Sequence, residues 1–296
     1  MALYVLKHGY LKHHFHSILD TPVDHLTCAG EAPDTISRIS DLNASDELVV
    51  FSTKKAFTLR SGGLRCPLSL MIAEPRAVQP GLYALVRFFS HRFHRILSHD
   101  PRVVATCSNA ERWIASGAWV DAGRAGRAEK TKNLSIIASD HRKHKGQALR
   151  HSFVSAARAE GLELDVFGRG YVPLIDKADG QDAYRFTVVI ENIRSPGYFT
   201  EKLVDAALCR CVPLYWGDPE IESWFDPRGM ILCDTLEELL EAARTLSPER
   251  YTAMLPYVEA NREAALATLK APNSMARIAG WQMWFYGQGV SQAPIE

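Results

Sequence analysis

A carboxylate and an amide stand side by side at Glu191-Asn192, and Thr200-Glu201-Lys202 follows eight residues later. The run Tyr184–Ile190 before the first pair is apolar and β-branched. It predicts a strand, with Glu191 and Asn192 at its C-terminal end. Thr200 is a helix-capping residue, and a helix is predicted over Thr200–Arg210. The first N–H groups of a helix lack intrahelical partners and the dipole is positive there, so this start is a ready-made anion site. Lys202 adds a full positive charge in the first turn, where it opposes the dipole. Helix stability does not favour a lysine there; a bound diphosphate would. Glu201 has two readings. It is a good first-turn acid by helix statistics alone, and its carboxylate is also able to accept from ribose or sugar hydroxyls. Gly197 gives the intervening loop conformational freedom. One further carboxylate, Glu74, follows an apolar run, Leu68–Ala73, and precedes Pro75. The proline bars it from the α region and leaves it where a strand gives way to a loop. Strand ends facing a cleft are where α/β folds place their chemistry.

Such residues need a scaffold, and the second half of the chain supplies an alternating one. Strands are predicted at Leu134–Ser139, Leu164–Phe167, Tyr184–Ile190, Val212–Trp216 and Met230–Cys233. Helices are predicted at Gln147–Glu160 (stopping at Gly161), Thr200–Arg210, Leu236–Leu246 and Pro248–Leu269. This alternation implies a parallel sheet with helices on both faces. In the first half Glu47–Ser52 and Leu68–Ala73 read as buried strands and Arg102–Ser108 as another strand. Leu82–Leu97 reads as a helix, with Leu82, Leu85, Val86, Phe89, Phe93 and Ile96 at spacings of three and four. Residues 1–45 give no long period. The segment Ala122–Asn133 is rich in Gly, Arg and Lys and has no apolar face, which places a boundary there. The expected organisation is residues 1–130, then 131–270, then a terminal helix in 271–296, about Ser274–Tyr286, packing across the junction.

Bulk properties bound the function. The 296 residues suit two domains; 47% are apolar and 23% charged, and the formal charge is zero, so nothing argues for bulk nucleic-acid binding. Six scattered cysteines, without a paired framework, read as buried reduced thiols. No N-terminal signal peptide is visible and no apolar run reaches the ~20 residues that span a bilayer. A cytoplasmic setting is the default expectation.

Glu191-Asn192, then Tyr198-x-Thr-Glu-Lys-Leu, then Val212-Pro-x-Tyr-Trp-Gly-x-Pro, resembles the signature of the α-1,3/1,4-fucosyltransferases, glycosyltransferase family ten. The resemblance is dense over 184–219, looser over 134–170 and weak before that. It implies an α/β fold of two Rossmann-like domains facing a cleft, the GT-B architecture. It implies that Lys202 binds the donor diphosphate, that Glu201 holds donor hydroxyls and that Tyr198 lines the nucleotide pocket. Glu191, Asn192 and Thr200 complete the donor-binding segment. A family arginine that grips the diphosphate corresponds to Arg150, after Ser139, with Arg142 as its competitor. The family's general base corresponds in order and position to Glu74. The sequence departs from the family at Ile193, where a serine is common, and at Cys211, where vertebrate members have glycine.

The implied activity is inverting transfer of a sugar, L-fucose from GDP-fucose, to a hydroxyl of a glycan or glycolipid acceptor. The GDP-sugar is a co-substrate. No metal or other cofactor is called for, since two cations serve the diphosphate and no Asp-x-Asp occurs. Two rivals stand beside it: transfer from another nucleotide sugar, and a catalytically silent glycan-binding module of the same fold. The histidines His8, His13, His14 and His16, and His91, His94 and His99, lack accompanying ligands at metal spacing and read as surface residues. The Arg- and His-bearing face of residues 87–102 reads as a solvated helix face, or as peripheral contact with an anionic glycolipid or the inner face of a membrane.

Overall fold

The computed structural model describes residues 2–7, 9–13, 18–29, 35–59, 62–114 and 116–271. They fall into two compact units, the first built on residues before 116 and the second spanning Ser116–Lys270. The helix expected at Ser274–Tyr286 lies outside the described residues, as do His8, His14 and His16.

The first unit contains β1 (Leu3–Leu6), α1 (Tyr10–His13), β2 (Leu26–Ala29), β3 (Glu47–Phe51), α2 (Lys54–Thr58), β4 (Leu68–Ile72), α3 (Pro80–Phe89), β5 (Ile96–Ser98), α4 (Pro101–Thr106) and β6 (Ala110–Arg112). Its six strands run in the order β2-β1-β3-β4-β5-β6. Only the β1–β2 pair is antiparallel. Every residue of β3 and β4 is buried, as expected of parallel strands covered on both faces.

Two sequence expectations are corrected here. The helix read over Leu82–Leu97 ends at Phe89, and Ile96–Ser98 is a central strand between β4 and β6. The Asn109 side chain donates to the carbonyls of Ser90 (3.0 Å) and Phe93 (2.8 Å), satisfying the groups a longer helix would have bonded. The strand read over Arg102–Ser108 is not formed: Arg102–Thr106, with its β-branched pair Val103-Val104, lies in α4. Asp100 caps it by accepting from the Arg102 N–H at 2.8 Å and Pro101 occupies the first helical position. That start signal outweighs the β-branched pair.

The second unit contains β7 (Lys132–Ile137), α5 (Lys145–Ala159), β8 (Asp165–Phe167), β9 (Tyr184–Ile190), α6 (Glu201–Leu208), β10 (Val212–Trp216), β11 (Ile231–Leu232), α7 (Leu236–Arg244) and α8 (Pro248–Lys270). Its five strands are all parallel, in the order β11-β10-β9-β7-β8. β9 and β10 coincide with their sequence-predicted limits. The chain leaves β7 toward β8 on one side and returns to β9 on the other, so β7 and β9 flank the topological switch point. A crevice opens at such a point beyond the C-terminal strand ends.

Replacing Asp100 with alanine removes both the α4 cap and the Arg76 ion pair (Nη2 to Oδ2, 3.1 Å). We expect a loss of about 1–2 kcal/mol, read as a lower urea midpoint for the first unit; an unchanged midpoint would refute the capping assignment.

Candidate functional site

Glu191 follows β9 directly and is wholly buried. Its Oε1 accepts the Thr200 N–H at 2.8 Å and its Oε2 accepts the Thr200 hydroxyl at 2.7 Å. A buried carboxylate is tolerable only when its lone pairs are met and an opposite charge lies near. That charge is the Lys202 ammonium, 3.7 Å from Oε2. Burial raises the Glu191 pKa and Lys202 works against the rise.

Thr200 is the N-cap of α6, and the Lys202 N–H reaches its Oγ1 at only 3.5 Å. The Lys202 ammonium donates to Thr200 Oγ1 (3.0 Å) and Glu201 Oε1 (2.9 Å). Its side chain is 26% exposed while those of Glu191 and Glu201 are at 0% and 9%, so Lys202 is the member of this trio that an incoming anion can reach. Burial would raise the Glu201 carboxyl, but Lys202 and Lys177 bring it down to about 2. Burial likewise opposes the charge on Lys202, and Glu201 and Glu191 raise its pKa above the usual lysine value.

Arg150, buried on α5, points at the same strand end. Its Nε donates to the Ile190 carbonyl at 2.9 Å, and Nη2 donates to that carbonyl and to Asn192 Oδ1 (3.0 Å). Among the described residues its Nη1 has no hydrogen-bond partner. The guanidinium thus holds the end of β9 and the Asn192 side chain. Tyr198 and Phe199 are buried beside the cap, and the Phe199 ring packs on Phe225 at 5.5 Å. Ser139 is half-buried just past the end of β7. The structure therefore gathers Arg150, Glu191, Asn192, Thr200, Glu201 and Lys202 around one strand end, with Tyr198 adjoining and Ser139 two residues past the end of the neighbouring strand β7. Glu74 belongs to the first unit, where its carbonyl accepts the Tyr83 hydroxyl at 2.9 Å.

Sequence reading missed four supports. A Cβ on Gly146 would lie 1.7 Å from the Glu191 carbonyl oxygen, and the Gly146 N–H bonds the Asn192 carbonyl at 3.0 Å. Only glycine allows α5 to start so close to the end of β9. Asp218 accepts the Gly197 N–H at 2.9 Å and ties down the loop before Tyr198. Asp205 on α6 is buried; its Oδ1 accepts the N–H groups of Trp119 (2.7 Å) and Val120 (3.2 Å), and its Oδ2 has no hydrogen-bond partner among the described residues. Lys177 lies 3.6 Å from the centre of the Trp119 ring, and its pKa is lowered by burial against the pull of Glu201 and Asp205. A glycine in a helix start and a lysine in a turn carry no pattern of their own, so only the fold reveals these roles.

Three cations and three carboxyls thus share one buried neighbourhood. Burial lifts Asp205 to about 7 and pulls Lys177 down, while Lys202 stays raised by its two carboxylates. This arrangement suits a polyanionic ligand. Among the described residues, no group of three or more His, Cys, Asp or Glu is placed to hold a metal ion. No helix among them is long and apolar enough to cross a membrane. All six cysteines are unpaired, and five are buried.

Comparison with known proteins places the site in context. Residues 127–258 match the family described as glycosyltransferase family 10 (fucosyltransferase) C-term. The chain is 38% identical over 48 residues to the alpha-(1,3)-fucosyltransferase FucT of Helicobacter pylori, a stretch covering 16% of this chain and 10% of that protein. Its fold is similar to that of Anabaena Alr3699/HepE, solved in complex with UDP: TM-score 0.52, 12% identity, 79% of this chain and 76% of that one. A crystal structure of an alpha1,3-fucosyltransferase with GDP aligns with TM-score 0.48 and 16% identity, over 76% of this chain and 80% of the other.

The Asp205 carboxyl gives the site a pH signature. Its folded pKa of about 7 exceeds the ordinary 3.8, so its contribution to stability is full at low pH and is lost as pH rises through about 7. Asp205→Asn keeps an acceptor for the two amides and removes the titration. Between about pH 4 and pH 8 the variant should lose less stability than the native chain in thermal melts; an identical pH slope would contradict the assignment.

Proposed function

We propose that the chain transfers a sugar from a GDP-sugar to a hydroxyl acceptor, a reading supported by the match of residues 127–258 to glycosyltransferase family 10 and by the two-unit α/β fold class called GT-B. The sugar we assign is L-fucose, the acceptor a glycan or glycolipid, and the stereochemical course inversion. One observation carries the reading: Lys202, the solvent-reachable cation, stands at a helix start directly beyond the switch point of a parallel sheet. Diphosphates are held at such places in α/β folds.

In the proposed reaction the acceptor oxygen attacks the anomeric carbon and the bond to the β-phosphate oxygen breaks, so negative charge grows on the departing GDP. Lys202 meets that charge. It now satisfies Glu201 and Thr200, so a phosphate competes with ligands already in place, and the ammonium need not be desolvated anew. Arg150 serves mainly as a positioning residue, presenting Asn192 and the strand end. Its open Nη1 is the one edge left for a phosphate. Glu201 is fixed by Lys202, and its carboxylate is proposed to hold a donor hydroxyl. Glu74 is proposed to take the acceptor proton, in keeping with its place after β4. Losing one electrostatic contact to the leaving group commonly costs on the order of 10²–10³ in rate.

Removing Lys202 alone would strand two buried carboxylates; the double variant, Lys202→Gln with Glu201→Gln, leaves only Glu191 without its cation, and a cooperative melt in the absence of nucleotide checks that it still folds. Thermal titration with GDP, UDP, CMP and ADP should show stabilisation of the native chain by GDP, roughly 2.7 kcal/mol at a hundredfold excess over Kd, and none in the double variant. Stabilisation by UDP instead would keep the transferase and discard GDP-fucose. For Glu74→Gln, turnover should fall by roughly 10²–10⁴ with the GDP-induced shift intact; a parallel loss of GDP binding would show that Glu74 is not the base.

A further inference from the structure

The helix α3 is apolar toward the core and nearly apolar toward solvent. Leu82, Tyr83 and Val86 are buried. The exposed positions are Pro80, Gly81, Ala84, Arg87, Phe88 and Phe89, with Phe88 69% exposed and Phe89 38%. A helix that faces water ordinarily carries charged residues along its outer stripe. Here the outer stripe holds one charge, Arg87, beside the most exposed phenylalanine described. The turn that follows adds exposed His91 and Arg92, and Arg92 Nη2 is anchored to the Leu59 carbonyl at 2.8 Å beyond α2.

The sequence around this helix is segregated by charge. Residues 48–99 contain Lys54, Lys55, Arg60, Arg65, Arg76, Arg87, Arg92 and Arg95 but a single acid, Glu74; Arg76 is paired with Asp100 and Arg95 with Glu47 and Glu111, so the excess that faces solvent rests on the others. The whole chain sums to zero, so the remainder is net acidic. Aromatic side chains projecting from a basic face are the pattern of interfacial binding to anionic lipid. A protein partner fits less well. The face is a helix of ten residues, about 15 Å long, and a stable protein interface needs about 800 Å² from each partner. A lipid surface needs only side chains that enter it.

We propose that the exposed face of α3, led by Phe88 and Arg87, docks the first unit on an anionic lipid surface. Phe88 enters the boundary between headgroups and acyl chains while Arg87, His91 and Arg92 face lipid phosphates. This proposal does not depend on the GDP-sugar reading, since α3 belongs to the first unit and the donor-side residues to the second.

The test is co-sedimentation of the full chain with vesicles of phosphatidylcholine alone and of phosphatidylcholine mixed with phosphatidylglycerol. Binding is expected on the mixed vesicles and not on the neutral ones. Arg87→Glu should weaken it by on the order of thirtyfold, at about fivefold per unit of charge. Phe88→Ser should weaken it by roughly tenfold. Both side chains face solvent, so both variants should keep the native melting temperature and the native response to GDP. Failure to sediment, equal binding to neutral vesicles, or indifference to both substitutions would overturn the proposal. Loss with Arg87→Glu alone, Phe88→Ser binding as the native chain does, would overturn the insertion of Phe88 and leave only electrostatic adsorption.

Discussion

The second unit depends on what is done with one buried carboxylate. Glu191 sits at the end of β9 with no access to water, and a charge so placed would cost several kcal/mol unless met on every side. The Thr200 N–H and hydroxyl meet it from the cap of α6, and the Lys202 ammonium supplies the opposite charge. One contact therefore locks a strand end to a helix start and fixes where the lysine stands. It also explains why the lysine is tolerated where the helix dipole disfavours it. The cation is bound by Glu191 and Glu201 before any ligand arrives.

Steric limits then shape the neighbourhood. Gly146 lets α5 approach the backbone of Glu191 and Asn192, and from that helix Arg150 reaches the Ile190 carbonyl. The loop between β9 and α6 is drawn in by Asp218, whose own N–H is held by the Tyr215 hydroxyl at 2.9 Å. The result is a strand end and a helix start held in fixed relation, with the polar groups around them already in hydrogen bonds to one another.

Much of this was legible in the sequence where local signals and the fold agree. β9 and β10 are long apolar runs with clear ends, and Thr200 is a strong cap, so the segment 184–219 could be placed and its polar residues assigned to strand and helix ends. Signals were ambiguous in the first unit. β1 and β2 have four residues each, too few for a period to register. Phe93 and Ile96 continued the helical spacing of α3 by coincidence, and Val103-Val104 hid a helix that Asp100-Pro101 announces. The partners of Asp205 and Lys177 were not legible at all. They lie far away in sequence, and only the folded chain brings the amides of residues 119 and 120 to α6.

That last tie bears on how the unit could be excised. The recognised family segment begins at residue 127, yet the amides that hold Asp205 and the indole beneath Lys177 come from Trp119 and Val120. A fragment cut at the family boundary would expose the floor of the charge cluster to water and leave a buried acid without its donors. A fragment that keeps these contacts must therefore start upstream of that boundary, and the second unit itself begins at Ser116, so the stretch between is part of the folded body and not a tether.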